Sequence, residues 1–479
     1  MLTNTEIAIN KIVESANEHS TSTIIQDLIA EHENDKRYDL MTDGERYYDN
    51  EADILDRVKY YWKDGNKVED ETAVNNKVPN NWHKVLVDQK VGYVAGRPPI
   101  IDSEDEDFTE LINNYLGERF DDLLPDIVTE VSNKGKDWLH VYASPEGDFK
   151  FMEVDARQCI PVYDTEKENN LTDFLRYYQV VVNGEERTRV EWWTPEDVTY
   201  YIEGESGEFK LDNLLEDNPQ QPHFTKNGEG TSWGKIPFIK FANNKKEYPD
   251  LKQYKEQIDM YDKIISDYGN DLEELQEAVW VLVKYGGESL AEFQHNLRHY
   301  KALNVDEGGG AEQKTMDIPT EAKEKYLNRL EENLFLFGQG ANIKTDRFGN
   351  SPSGVALQFL YSQLDIKANT LIRKFKRGIK DLCWFIAKFD QVSKSTNYDA
   401  SKVSVTFNKT MIFNETEKID NVSKSVGITS KKTARKNHPW INNVEEEEEQ
   451  IQKEREEMER RREEDVDLDD YSDPDPDEE

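Results

Sequence analysis

Three stretches of the chain carry residue types at spacings that can do chemistry. The first is FGQGANIKTDRFGNSPSGVALQFLY, residues 337–361, with Gly338, Gly340, Gly349, Gly354 and Pro352 between two helical patterns. Gly349 and Gly354 have the spacing of a phosphate-cradling loop. That chemistry needs Lys and Ser/Thr directly after the second glycine, and a strand ahead of it. Val355 and Ala356 stand there instead, and the preceding pattern is helical. The second is His295 and His299, four apart on a predicted helix, a spacing that can hold a metal. No H-E-x-x-H glutamate and no third ligand accompany them, so they read as surface histidines. The third is DSEDED, residues 102–107, which lacks the central Gly and final Glu of a calcium loop and reads as a solvated acidic turn. There is no Gly-x-Ser-x-Gly, no Cys–His context and no isolated carboxylate pair in an apolar frame. Nothing in these patterns asks for catalysis, a metal or a cofactor.

The elements that would position these stretches form a clear order. Residues 1 to about 62 read as helices, with Ile24, Ile25, Leu28 and Ile29 on one side and EADILDRVKYYW continuing in that style. Trp82, Val85, Val87, Lys90, Val91 and Val94 suggest a helix ended by Gly96 and Pro98–Pro99. From about 126 to 245, short β-branched and aromatic runs such as WLHVYAS and RYYQVVV are split by turn residues, a β texture. Then Leu251, Tyr254, Ile258, Tyr261, Ile265, Tyr268, Leu272 and Leu275 alternate in steps of three and four, a heptad seam. At 1.5 Å per residue, that helix is roughly 35–40 Å long.

A small αβ unit follows over 279–319: a strand AVWVLVKYGG, a helix ESLAEFQHNLRHY and a hairpin turning at Gly308–Gly310. Helix returns at 320 with Leu327, Leu330, Leu334 and Phe337 as its stripe. Two helices bracketing a compact insert make a stalk with a tip. After the glycine-containing loop, a helix from 353 to about 389 would span some 55 Å, with Gly378 as its bend point. SKVSVTFNKTMIF returns to strand, and a Glu/Arg-rich helix precedes the acidic end.

Composition limits the partners. The 479 residues have 36% hydrophobic and 33% charged content, which suits a multi-part molecule or one that buries apolar faces against copies of itself. The net charge of −39 argues against generic phosphate-backbone binding, because that requires cations to displace counterions. Residues 445–479 hold 20 acidic and 5 basic side chains and read as solvated. The aromatic content of 11%, without interleaved Lys/Arg runs, is better explained by core and subunit contacts than by base stacking. Two distant cysteines fit a reducing compartment. The N-terminus lacks a signal-peptide pattern, and no apolar run reaches a membrane span, so no membrane partner is expected.

The order of parts resembles the portal proteins of tailed double-stranded-DNA bacteriophages, particularly those with long non-contractile tails. The stretches YYDNEADIL, NNWHKVLVDQKVGYVAGRPP, YDKIISDYGNDLEELQEAVWVL, residues 337–361 and SKKTARKNHPW carry the resemblance. It implies an α+β multi-domain portal fold: a wing (1–245), a first stem helix (246–278), a clip (279–319) and a second stem helix (320–337). A tunnel loop (338–352), a tunnel helix (353–390), a wing return strand (391–422), a helical crown (423–464) and a disordered acidic tail (465–479) complete it.

It also implies a homo-oligomeric ring of about twelve copies at one capsid vertex. Double-stranded DNA enters, is held and leaves through the channel. The implied site is in the virion, with assembly in the host cytoplasm. Partners are the terminase large subunit, which supplies the ATPase, a head–tail connector or adaptor, and the major capsid and scaffolding proteins. The chain itself is expected not to be an enzyme and to need no cofactor. The DNA-facing loop residues are then Asn342, Lys344, Thr345, Asp346, Arg347 and Asn350, and the heptad seam becomes packing between neighbouring stem helices. Trp280, Lys284, Glu292, His295, Arg298, His299 and Lys301 would form the clip docking surface. An acidic wall would repel the duplex and keep it centred. Two other readings remain: a coiled-coil scaffold or minor head protein without a channel, and a nucleic-acid enzyme using the Gly-containing loop.

Overall fold

A computed structural model describes residues 3–15, 20–164, 170–213, 218–226, 228–274, 279–283, 310–314, 319–342, 354–394, 396–410, 415–441 and 444–469. The chain divides into two compact units, Met1–Asn342 with Ser362–Thr410, and Ile343–Tyr361 with Met411–Glu479.

In the first unit, helices α1 (Asn4–Glu14), α2 (Thr21–Glu33) and α3 (Lys36–Tyr48) are capped by Thr3, Ser20 and Asp35, whose side chains accept backbone N–H groups of the first turn. Ile24, Ile25 and Leu28 are buried with Ile9 against Ile160, Leu175 and Val190 of the sheet behind them. The expected helix over EADILDRVKYYW does not form. Asp53–Asp56 is a 3-10 turn, and Tyr60–Lys63 pairs antiparallel with Asn66–Glu69. Asp64 and Gly65 adopt φ of 50° and 80°, so Asp-Gly makes the tight turn that such a hairpin needs.

Helix α4 (Trp82–Ala95) ends at Gly96 as expected, but its buried face is His83, Leu86, Val87, Lys90, Tyr93 and Val94, while Val85 is exposed. Helix α5 (Glu106–Lys134) overturns the β reading of residues 126–134. It stops at Gly135, where φ is 88° and a Cβ would lie 2.3 Å from the Glu247 carbonyl oxygen.

Within the region read as β, the first strand begins at Lys136. Lys136–Ala143 lies between Phe238–Ala242 and Phe149–Val154 in one antiparallel sheet. A second sheet runs as a meander through Cys159–Tyr163, Leu171–Val182, Glu185–Trp193, Asp197–Glu203 and Phe209–Leu211. Their shared core holds Met41, Trp138, Cys159, Phe174, Trp193 and Phe238, with the Phe174 and Phe238 rings stacked at 4.1 Å. Both cysteines are buried and free.

The stem pair is helix α6 (Lys255–Glu274) and helix α7 (Thr320–Gly338). Between them, Val279–Val283 pairs antiparallel with Gly310–Lys314. The second strand thus pairs with the first across the insert, and the hairpin turn expected at Gly308–Gly310 falls on residues that lie largely outside the described ones. Helix α8 (Gly354–Lys394) follows, with Leu364, Ala368, Leu371, Phe375, Leu382, Ile386 and Phe389 buried at steps of three, four and seven. Helical structure runs unbroken through Gly378. This glycine sits inside the helix where a Cβ would meet the Phe241 ring at 2.7 Å, so its missing side chain admits that ring. The return strand is shorter than expected, Ser404–Thr406, and pairs with Ile100–Asp102.

In the second unit, beyond the first turns of α8, lie α9 (Glu415–Ser425), α10 (Lys431–Lys436) and α11 (Val444–Asp469). Arg435 bonds Glu448 at 2.9 Å, tying α10 to α11. Helix α11 continues through residues 465–469, which the sequence places in a disordered tail. Among the described residues, no helix is long and apolar enough to cross a membrane.

Candidate functional site

The loop expected to face DNA is reached through a tightly built base. Helix α7 ends with Gln339 in the left-handed region (φ 55°), and the Gly340 N–H returns to the Phe335 carbonyl at 2.9 Å. A Cβ on Gly338 or Gly340 would approach Leu86 of α4 to 2.6 or 2.5 Å, so these two glycines let the helix end press against α4. The Gln89 side chain then clamps Ala341: its Oε1 accepts the Ala341 N–H at 3.0 Å, and its Nε2 donates to the Ala341 carbonyl at 3.0 Å. Gly338 and Gly340, the first two glycines of the stretch, are thus packing glycines, while Gly349 of the cradle-like spacing lies outside the described residues. Asn342, half-buried, follows the clamp; Lys344, Thr345, Asp346, Arg347 and Asn350 lie outside the described residues.

Behind this base is a buried ionic knot. Lys90 of α4 is fully buried and donates to Asp250 Oδ2 at 2.9 Å and Asn243 Oδ1 at 2.7 Å. Lys367 of α8 reaches the same Asp250 oxygen at 2.8 Å and also donates to the Gly338 carbonyl at 2.9 Å. Asn243 Nδ2 donates to Asp250 Oδ1 at 2.9 Å, so both carboxylate oxygens are engaged. Burial would push the Asp250 carboxyl up, but Lys367 and Lys90 outweigh it and hold it well below the usual range. Burial lowers Lys90 to about 8 against the pull of Asp250.

Beside the knot, His83 Nε2 lies 3.1 Å from Asn133 Oδ1, which can only accept. The ring's other nitrogen therefore accepts the Tyr254 hydroxyl proton at 2.7 Å. Burial pushes His83 down to about 4. One residue earlier, Trp82 meets Tyr261 of α6 and Phe335 of α7 edge-on, at 5.5 and 5.7 Å. The WHKVLVDQK stretch thus touches both stem helices with Trp82, then ties the stem's start, α7's end and α8 together with His83, Gln89 and Lys90.

The stem itself differs from its expected seam. Helix α6 begins at Lys255, so Leu251 and Tyr254 precede it in a 3-10 turn and its exit. Leu251, Tyr254 and Ile258 are buried in the chain's own cluster with Tyr47, Ile54, Leu86 and Leu334. These three therefore cannot pack against a neighbouring subunit. Tyr261, Ile265 and Tyr268 are half-buried, Leu272 is half-exposed and Leu275 lies outside the described residues.

Beyond Ile258, the buried line on α6 turns polar, with Asp262, Ser266 and Asn270. It accepts alternate backbone N–H groups of an irregular strap over 75–80. Asn76 donates to Asn270 at 2.7 Å, Val78 to Ser266 at 3.0 Å and Asn80 to Asp262 at 3.0 Å. Four helical residues rise about 6 Å and two extended residues about 6.6 Å, so the repeats match. Asp262 Oδ2 has no partner. Burial raises Asp262 to about 7, although Asn80 hydrogen bonds oppose the shift.

Of the proposed clip residues, Trp280 is placed by backbone in the Val279–Val283 strand; Lys284, Glu292, His295, Arg298, His299 and Lys301 lie outside the described residues. Among the described residues, no group of His, Cys, Asp or Glu could hold a metal.

A stem helix pair is thus joined, through Trp82, His83 and the Asp250 knot, to a long helix and to the residues that lead into the loop. Comparison with known proteins gives the chain's family. The phage portal protein model, SPP1 Gp6-like, matches residues 27–461. The portal protein of Bacillus phage SPP1 is 35% identical over 452 residues, covering 93% of this chain and 89% of that one. The portal protein of Clostridium phage phiCD119 is 31% identical over 421 residues, covering 84% and 89%. A solved chain from the neck of a native GTA particle, computed with C12 symmetry, has TM-score 0.39 and 12% identity, covering 74% of this chain and 89% of that one. This chain belongs to the SPP1 Gp6-like phage portal family.

Proposed function

We propose that this chain is the subunit of a ring of about twelve copies at the unique capsid vertex, through whose channel double-stranded DNA is packaged, retained and ejected. The observation that carries this is the family relationship over nearly the whole chain, 35% identity across 93% of it. The knot supports it, since a loop in a DNA path needs a base that does not yield, and Gly338–Ala341 is held by α4 and Lys367. Lys344, Arg347, Asn342 and Asn350 are the candidates for weak, exchangeable contacts with the duplex. Acidic walls would repel DNA and keep it sliding. If neutralising wall acids left packaging and retention unchanged, that electrostatic part would fall.

The clip, with Trp280, Lys284, Glu292, His295, Arg298, His299 and Lys301, is the docking surface for the terminase large subunit and the connector. Major capsid and scaffolding proteins meet the wing. ATP hydrolysis belongs to the terminase, and this chain is structural, assembled in the host cytoplasm and resident in the virion. Native mass spectrometry and negative-stain microscopy of the purified chain test the reading: rings with a central hole are expected. A monomer or dimer that persists in assembly-promoting salt would restore the coiled-coil scaffold as the better account.

A further inference from the structure

The Tyr60–Lys63/Asn66–Glu69 hairpin is bonded only to itself among the described strands. A lone two-stranded sheet is marginal in water. This one also exposes Tyr60 (50%), Tyr61 (42%) and Trp62 (75%), three consecutive aromatics. Successive strand residues point to opposite faces, so the arm is apolar on both sides. Contiguous exposed apolar surface of this kind marks an interaction site.

The arm's root is fixed to the stem. Arg57 pairs with Asp267 of α6 at 2.5 Å, Asn75 Nδ2 donates to the Arg57 carbonyl at 3.1 Å, and the strap ladder begins one residue later at Asn76. An arm whose two ends are both tied to a helix keeps a set direction relative to it.

We infer that the Tyr60–Glu69 hairpin is an intersubunit arm, which lays Trp62 and its neighbouring tyrosines on the stem of an adjacent copy of this chain. Two features favour a second copy. The stem exposes Met260 and Leu272 on α6, with Tyr326 and Leu336 on α7, apolar side chains that an aromatic arm would cover. The charges are also complementary. The arm brings Lys59, Lys63 and Lys67 against Asp64 and Glu69, whereas the exposed and half-buried acids of α6 are Glu256, Asp259, Asp267, Asp271 and Glu273 against Lys255 and Lys263. An arm on one copy and a stem on the next form a head-to-tail contact, the kind that closes a ring. The inference rests on the ring reading.

Hydroxyl-radical footprinting of the full chain, in rings and in subunits dissociated by dilution, tests it. Trp62 oxidation should fall about fivefold on ring formation, as for a buried interface aromatic. Trp62→Ala should raise the concentration for half-assembly by about tenfold, and Trp62→Phe by less, while the thermal midpoint of dissociated subunits stays unchanged. Equal oxidation of Trp62 in both states, or wild-type assembly of Trp62→Ala, would overturn the arm and leave the ring standing. If the wild type forms no rings, the ring reading falls and the arm with it.

Discussion

The knot around Asp250 and the ladder on α6 both bury polar side chains, yet they are built differently. In the knot, a carboxylate with both oxygens engaged sits between two cations, and its charge is complete. In the ladder, neutral backbone donors meet Asn270, Ser266 and one oxygen of Asp262, and the other oxygen is unpartnered. A fully satisfied buried network costs much to break, whereas an incompletely satisfied one holds more loosely. The knot fixes where the tethered loop starts. The ladder straps a segment to the stem and, through Asn76, steadies the root of the aromatic arm.

Four experiments sharpen this contrast. The largest effect belongs to Asp250→Ala, which strands Lys90 and Lys367 together; unfolding by urea should show a loss of about 3–5 kcal/mol. The next is the pH dependence of the ladder. The Asp262 carboxyl rises from 3.8 to about 7 on folding, so between those values the folded chain keeps a proton that the unfolded chain has lost. The ladder's contribution is therefore present at acid pH and lost as pH rises towards 7, by about 2–4 kcal/mol. Asp262→Asn should flatten that slope in thermal melts. His83, lowered from 6.5 to about 4, acts with the opposite sign: the knot side weakens as pH falls through that window.

Gly340→Ala comes third, since its Cβ would stand 2.5 Å from Leu86; a stability loss of about 1–3 kcal/mol is expected in denaturant melts. Gln89→Ala is the smallest. Removing the two-point clamp on Ala341 should cost about 1 kcal/mol and speed amide exchange there, leaving the ladder amides unchanged.

Much of the fold was legible because apolar periodicity survives in long elements: α4, α7 and α8 fall close to where their stripes place them. Lys90 stood out as a lysine in an apolar stripe, but its partners Asp250 and Lys367 are remote in sequence, so the knot was not readable. The ladder was missed for a different reason. Asp262, Ser266 and Asn270 recur every four residues, a spacing that ordinarily marks a solvated helix face, and only the strap makes it the buried one. The hairpin was hidden by reading RVKYYW as helical, although Asp64-Gly65 is a strong turn signal two residues past Trp62. The heptad seam is real as a pattern, but its first three residues serve the chain's own core.

Hydrogen exchange on the full chain at pH 5.5 and pH 7, where Lys90 stays charged, corrected for intrinsic rates, tests the contrast most directly. The account predicts that protection of the Asn76, Val78 and Asn80 amides falls at the higher pH, while the Gly340 and Ala341 amides keep theirs. Equal change at both places, or a ladder indifferent to pH, would contradict it.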